Sequence, residues 1–531
     1  MAETLAVETL ICLFLVTMFL MTSVYLQKYN VTYIHESGVC IVLGMLAGAL
    51  ILWTTDETPS KFEAPIFFQF MLPFLIFGVG YNMKRRRFFR NIGHIITNGL
   101  IGTLITFTIL SLFAWTFSDL GAIRDADGIT RYLSLKDILA LGGVLSSTDM
   151  AISLSVLHEN KTPRLHSLLF GESIINTAIA ILLVRTVLIA GFDDFSASSV
   201  FIFFGYFIFN CVTSILMGTV FGFISCLMTK NFTALKNDPS KEVALQFYIA
   251  WSAYIVAEMC HISGVITILV CAIITGHYAW YNLTTESRIV VNDTFYLLGD
   301  GTQALIFSYL GLTSLSYKGS QISYMFILLM VLAIILARFI STFGMALLEK
   351  VCKKKKYDFN WKDLSIMWFA GIFRGTIAFA LVTSVDFGHE EILQVTVLGL
   401  VVFSMLVFGF LMPIWVTLIK PSEIIKANQS LIEAAADGDL RRSLVGATRL
   451  NFMLTKDDVS KKKGWFHNKW REIDNNYIKP CLIDKEKLEE QRKFKEELEA
   501  KARDEEEDGT EIMTSQLEPE KQPLEESKES K

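Results

Sequence analysis

Of the ionisable side chains that stand inside otherwise apolar runs of sequence, the informative ones are Asp149, Glu172, Arg185, Glu258, Asp300, Arg338 and Arg374. A charge at membrane depth costs ~2.5 kcal/mol or more on insertion, so each marks a place where function or a paired charge offsets that penalty. Asp149 lies in GGVLSSTDMAISLSV, where Gly142, Gly143, Ser146, Ser147 and Thr148 make a poor continuous helix and a plausible broken one. Unwound backbone at that depth is tolerated where it lines a cavity or is buried in protein. Such a break would collect carbonyl, hydroxyl and carboxylate oxygens, the hard ligands that an alkali cation takes, and the half-helix ends would add favourable dipoles. The plainer alternative is that Asp149 only caps a helix end.

The next apolar run begins FGESIINTAIAILLVRT, which puts Glu172 and Asn176 on one helical face and Ser173 and Thr177 on the adjacent one. Later, WFAGIFRGTIAFAL places Arg374 between Gly371 and Gly375. A buried carboxylate and a buried guanidinium are each costly alone, so Glu172 and Arg374 are expected to form a structural ion pair. Arg185 is expected to pair locally, and Glu258 and Arg338 to snorkel or stitch helices together. Asp300, in LLGDGTQALIF, is either an accessory acid or part of a helix break.

The elements that must position these residues follow from composition. The 531-residue chain is 52% hydrophobic and only 19% charged, with a mean hydropathy of +0.44. A soluble surface needs roughly a quarter charged residues, so the chain reads as an all-α polytopic membrane protein. A hydrocarbon core of ~30 Å requires about 20 apolar residues per helix. Thirteen runs qualify: approximately 5–27, 37–54, 64–81, 92–118, 138–157, 167–190, 199–229, 242–260, 262–281, 292–317, 321–348, 364–385 and 391–419. The organisation predicted is a transmembrane domain over 1–419, a helical and amphipathic tail over 420–507, and an acidic disordered end over 508–531. Within the tail, 465–483 is amphipathic and expected to dock on the transmembrane domain, and 484–507 reads as an exposed charged helix.

Eighteen Lys and Arg residues fall in the loops after odd-numbered runs and five in the others. That asymmetry predicts a cytosolic tail and an amino terminus on the opposite side. Small-xxx-small spacings at Gly44/Gly48, Gly218/Gly222 and Gly371/Gly375 predict close helix approach without chemistry. Eight scattered cysteines form no CxxC pair, which argues against a zinc site or disulfide framework, and no resident cofactor is expected. Phosphate-cradling, HExxH and GxSxG motifs are missing from the sequence, so neither an enzyme nor a nucleic-acid binder is expected.

Four segments in order resemble the sodium/proton exchangers of the monovalent cation/proton antiporter superfamily. SSTDMAISLSVLHE is similar to S-A-T-D-P-V-x-V-L-x-x-F-x-E, FGESIINTA to F-G-E-S-x-L-N-D-A, and IFRGTIAFAL to G-L-R-G-A-I-A-F-A-L. FFQFMLPFLIFGVGYNMKRRRFFRNIG is similar to F-x-x-x-L-L-P-P-I-I-F-x-x-G-Y-x-x-x-x-x-x-F-F-x-N-x-G. HYAWYNLTTESR and KWREIDNNYIKPCLI resemble the endosomal and Golgi branch more than the plasma-membrane one. The resemblance implies an inverted-repeat fold in which spans 5 and 12 cross as broken helices beside span 6. It implies that Thr148, Asp149, Ser173 and Asn176, with Thr177, border the transported ion, and that the protein is a homodimer in an intracellular membrane.

Four positions depart from the family pattern. Thr177 stands where the carboxylate that exchanges proton for cation is usual, Met150 and Phe74 replace prolines, and Gln303 replaces a glutamate. These residues leave two readings open. In one, Asp149 alone alternates between proton and Na+ or K+, giving one-for-one antiport that regulates luminal or cytosolic pH. In the other, the chain does not transport and serves as a scaffold or regulatory subunit.

Overall fold

The computed structural model describes residues 2–420 except 30–33, 56–63, 84, 125–128, 158–161, 193–196, 233–237, 316–322, 354–359 and 389, and, beyond them, 469, 472–484 and 488–489. The described residues are helical nearly throughout, because a chain this apolar can pair its backbone groups in lipid only within helices or a closed barrel. Their one β feature is an isolated bridge between Arg124 and Thr130.

Helix or broken helix covers each predicted run. The order is α1 (Ala2–Lys28), α2 (Glu36–Thr55), α3 (Ala64–Ile66), α4 (Leu72–Asn82), α5 (Arg85–Ile96), α6 (Thr103–Asp119), α7 (Leu135–Ser146), α8 (Ala151–Val156) and α9 (Pro163–Ala190). It continues with α10 (Ala197–Asn231), α11 (Pro239–Met259), α12 (Gly264–Ile274), α13 (Trp280–Asn282), α14 (Thr285–Thr313), α15 (Tyr324–Lys353), α16 (Trp361–Ala370), α17 (Thr376–Thr383), α18 (Glu390–Phe403) and α19 (Gly409–Ile419). Single π-helical turns join α3 to α4, α5 to α6, α12 to α13 and α18 to α19. Nine of the rods among the described residues are long and apolar enough to cross a membrane. Such a chain is an integral, multi-pass membrane protein.

The helices pack as two bundles. One, the scaffold, contains α1, α2, α4 and α10–α14. The other contains α5–α9 and α15–α19: two sets of three spans, each with its middle span broken. In the scaffold, Gly44 and Gly48 of α2 lie against the backbone of Ser308–Leu312 in α14, and Gly218 and Gly222 of α10 lie against α12. Those two glycine pairs serve close helix approach as expected. The third pair differs: Gly371 and Gly375 flank the break between α16 and α17, facing the Arg338 guanidinium and the Asp149 carboxylate respectively. Phe74 fills a scaffold interface, its ring stacked on that of Phe247 at 4.5 Å between centroids.

Part of the expected tail contact is present. A π turn over Asp474–Ile478 leads into α20 (Lys479–Leu482), which lies on α10 and the Thr275–Asn282 segment. Leu482 and Ile483 are buried with Cys226, Tyr278 and Ala279. Tyr278 donates to Asp474 Oδ1 at 2.7 Å, and Lys230 Nζ donates to the carbonyls of Pro480 and Cys481 at 3.0 and 2.7 Å. Asn282 clamps the segment from both ends: Nδ2 donates to Leu482 O at 2.9 Å and Oδ1 accepts from Asp484 N at 3.0 Å. Trp465, Phe466, Trp470, most of the expected 484–507 helix and the 508–531 end lie outside the described residues. Hydrogen bonds of this kind contribute ~1 kcal/mol each, more from a charged donor. The double variant Lys230→Ala/Asn282→Ala is therefore expected to release the segment, raising cleavage of the Ile473–Asp474 bond by a protease that cuts on the amino side of aspartate more than ~10-fold with the rest of the digestion pattern unchanged.

Candidate ion-binding site at the crossing of two broken helices

Span 5 breaks later than the glycines suggest. Ser134 caps α7 by accepting from Asp137 N at 3.1 Å, and the helix then runs through Gly142 and Gly143 to Ser146. These glycines admit neighbours: a Cβ at 142 would overlap Ser111 of α6, and one at 143 would press on Val184 of α9. The backbone leaves helical geometry only over Ser147–Met150. In span 12 the break covers Gly371–Gly375.

The two breaks cross, and Asp149 is their junction. Its N–H donates to Phe373 O at 3.2 Å, tying one break to the other. Its Oδ1 accepts from Ala151 N at 3.0 Å, and its Oδ2 lies over Gly375, where a Cβ would overlap it. The preceding Thr148 N–H donates to Asn176 Oδ1 of α9 at 3.1 Å. Thr148 Oγ1 and Asn176 Nδ2 are buried and have no hydrogen-bond partner among the described residues. Buried polar atoms are nearly always satisfied, so this pair marks where another polar species belongs.

Ser173 and Thr177 occupy the adjacent positions of α9, Thr177 buried and Ser173 half-buried. The hydrogen bond that joins α9 to the junction is accepted by Asn176 Oδ1 from Thr148 N, one residue before Thr177 along the helix. Met150, at the proline position, is fully buried. Asp300 is not at the junction: it sits half-buried on α14 in the scaffold, where its charged neighbour is Glu36 at the start of α2.

The expected pairing of Glu172 with Arg374 is not what forms. Glu172 Oε1 accepts from Arg338 Nη2 of α15 at 2.6 Å, both side chains almost wholly buried. Arg374 instead folds onto its own break: Nη1 donates to the carbonyls of Gly371, Phe373 and Ile372 at 2.9, 3.0 and 3.4 Å. Breaking a helix inside a membrane strands its last carbonyls, and a cation at a helix C-terminus satisfies them while matching the dipole. That demand draws the Arg374 guanidinium away and leaves Glu172 to Arg338. Arg185 likewise does not pair locally; it reaches Glu258 of α11.

Sequence reasoning missed Ser404. It lies in the π turn between α18 and α19, and its Oγ accepts from Arg374 N and is also 3.2 Å from Arg374 O, bracketing the break. A lone serine in the apolar run 391–419 was its only sequence signal. A π turn opens one backbone position out of the helical ladder, a geometry often found at functional sites.

Two broken helices that cross inside one bundle are an arrangement found in membrane transporters that hold an ion at the midplane between half-helices. The match to known sequences is specific. The family described as "Sodium/hydrogen exchanger, transmembrane" matches residues 15–418, and the chain belongs to that family. It is similar to sodium/hydrogen exchanger 3 of Arabidopsis thaliana, 30% identical over 410 residues that cover 73% of this chain and 80% of the relative. It is similar to sodium/hydrogen exchanger 9 of Homo sapiens, 28% identical over 539 residues, covering 90% and 81%. In fold it is similar to the sodium proton antiporter MjNhaP1 of Methanocaldococcus jannaschii, with a TM-score of 0.56, 16% identity, and coverage of 79% of this chain and 99% of that one.

Proposed function

We propose that the chain exchanges a monovalent cation for a proton by alternating access, with Asp149 as the one carboxylate that carries each in turn. The observation that carries this reading is the Asp149 junction, where a carboxylate at the meeting of two breaks has beside it Thr148 Oγ1 and Asn176 Nδ2, both without a partner among the described residues. Thr148 Oγ1, Asp149 Oδ2 and break carbonyls are oxygen ligands suited to Na+ or K+, and Ser173 and Thr177 supply further hydroxyls from α9. Binding either one proton or one cation at a single carboxylate gives electroneutral exchange. Nearby Arg374 spends its Nη1 on the break carbonyls and not on the Asp149 carboxylate, and Glu172 is committed to Arg338, so the Glu172 carboxylate does not compete for the ion.

The excess of Lys and Arg in alternate loops supports a cytosolic tail. The exposed apolar face of α10, with Phe201, Phe209 and Leu216, suits contact with lipid or with a second copy in a homodimer. The resemblance of the tail segment KWREIDNNYIKPCLI supports an endosomal or Golgi membrane, where exchange would set luminal pH.

Thr177 favours one second reading, a scaffold or regulatory subunit without transport, because the position usual for the exchanging carboxylate is neutral. The test is purified protein in liposomes with a pH-sensitive dye inside and Na+ or K+ pulses outside. Antiport predicts cation-driven proton movement that falls at least ~100-fold in Asp149→Asn, the scale expected when the group that carries the chemistry is removed. Silence in parent and Asp149→Asn, with exchange appearing in Thr177→Asp, would establish the scaffold reading instead.

A further inference from the structure

We propose that Arg185 and Glu258 form a latch that holds the seam between the two bundles shut at the end of the molecule away from the basic loops. Arg185 belongs to α9 of the junction-bearing bundle, two turns beyond Thr177. It makes two attachments to the scaffold at once: Nη2 pairs with Glu258 Oε2 in the last turn of α11, and Nη1 donates to Ile262 O at 2.7 Å in the following loop.

The scaffold side is built to present both acceptors. Cys260 N–H donates to Val256 O, His261 N–H to Glu258 O and Ile262 N–H to Ala257 O, each at 3.0 Å, so α11 ends in a tight turn. His261 has φ +58°, a left-handed conformation uncommon for a residue with a Cβ, and it is what turns the chain. Glu258 Oε1 is fixed from below by accepting from Gly264 N at 3.0 Å, and a Cβ at 264 would press on that oxygen and on the Tyr254 ring.

Location separates this pair from the Glu172–Arg338 pair. Glu172–Arg338 lies within one bundle and is wholly buried, so it can move as a unit and need never open. Arg185–Glu258 spans the seam, and each side chain keeps 30% of its exposure. A single midplane site must be reached from both sides in turn, so contacts across the seam are the ones that break. A partly exposed pair re-solvates more cheaply when it does than a buried one would. Because one guanidinium holds both acceptors, a small slide of α9 along α11 releases them together.

This inference rests on the alternating-access reading, and its first test is read without transport. In full-length protein in liposomes, with all eight native cysteines replaced by serine or alanine, spin labels are placed at Ile189→Cys and Met259→Cys. Both positions are exposed and flank the latch on the two bundles. Pulsed electron paramagnetic resonance is expected to give one short distance in the parent. Arg185→Gln or Glu258→Gln should each raise a longer-distance population at least ~5-fold, the double variant should add nothing beyond the singles, and Arg185→Lys should fall between, since it keeps the charge but not the fork.

In exchange assays, Glu258→Gln should lower the apparent KM for cation supplied at the latch end and raise it for cation supplied at the basic end. Unchanged distance distributions in both neutral variants, or distances that shift additively in the double variant, would overturn the latch. Equal KM changes at the two ends would overturn it as well. A silent parent whose distances still respond to Glu258→Gln removes antiport and keeps the latch; an active parent with unresponsive distances does the reverse.

Discussion

Gly375→Ala is expected to lower cation-driven proton movement at least ~100-fold in protein that still folds and inserts, the size of loss that follows from displacing a reacting group by about 1 Å. The glycine is not there for its backbone. At φ −105° and ψ −175° it is extended, and any residue could adopt that conformation. It is there because Asp149 occupies the space of its missing side chain: a methyl group at 375 would overlap Oδ2 and approach Asp149 Cβ and Cγ to 2.6 and 2.9 Å. The aspartate cannot step aside freely. Its Oδ1 is held by Ala151 N–H, and its own N–H is held by Phe373 O, two residues before the glycine on the opposing break. The methyl therefore either rotates the carboxylate off the junction or pries the two breaks apart, and both remove it from Thr148 and Asn176. The measurement is the liposome exchange rate, with the elution profile of detergent-solubilised protein as the folding control. Retention of the parental rate within about twofold would mean that the carboxylate works from some other position.

How much of this was legible in the sequence depends on which force fixed each feature. The bilayer accepts only long apolar helices, so hydropathy alone located the rods and the charge bias of the loops suggested their direction. Asp149 was legible for the same reason, as a carboxylate in a run that lipid should not tolerate, preceded by residues that do not hold a helix. The placement of the break was less so. Gly142 and Gly143 look like helix breakers, yet packing against Ser111 and Val184 uses them inside α7, and the chain unwinds one turn later. Packing and unwinding draw on the same residue type, and only the neighbours decide between them.

Charge pairing was the least legible feature. Glu172 has two buried guanidiniums to choose from, and which one it meets depends on the rotational phase of α15 and on how the span-12 break folds, neither of which sequence spacing carries. The break itself creates the demand that captures Arg374, since the carbonyls of Gly371, Ile372 and Phe373 would otherwise be stranded at the end of a half-helix. Ser404 was missed because a serine hydroxyl inside an apolar helix ordinarily bonds its own preceding turn, as this one also does to Val401 O at 3.0 Å. Its reach to Arg374 depends on the π turn, which no composition signal marks.

The buried pair yields the second large effect. Glu172→Leu is expected to destabilise the protein by about 3–5 kcal/mol, because it leaves the Arg338 guanidinium, 1% exposed, without a counter-charge in the bundle interior. Arg338→Met should cost about as much by stranding Glu172. Replacing a buried pair by apolar side chains of similar volume is commonly near neutral, so Glu172→Leu/Arg338→Met should recover most of the loss seen in either single variant. Glu172→Leu/Arg374→Met should not. It keeps the unpaired Arg338 and also uncovers the three carbonyls that Arg374 Nη1 caps, so its defects accumulate. Thermal loss of the monodisperse size-exclusion peak reads all five proteins on one scale. The ordering expected is parent and Glu172→Leu/Arg338→Met together at the top, the two single variants well below, and Glu172→Leu/Arg374→Met at the bottom. Recovery in the Arg374 combination, with none in the Arg338 combination, would reassign the partner of Glu172. A pair this costly to open belongs inside the bundle that carries the ion, where it keeps α9 fixed to α15 while Asn176, one turn further along α9, stays in place on the Thr148 backbone.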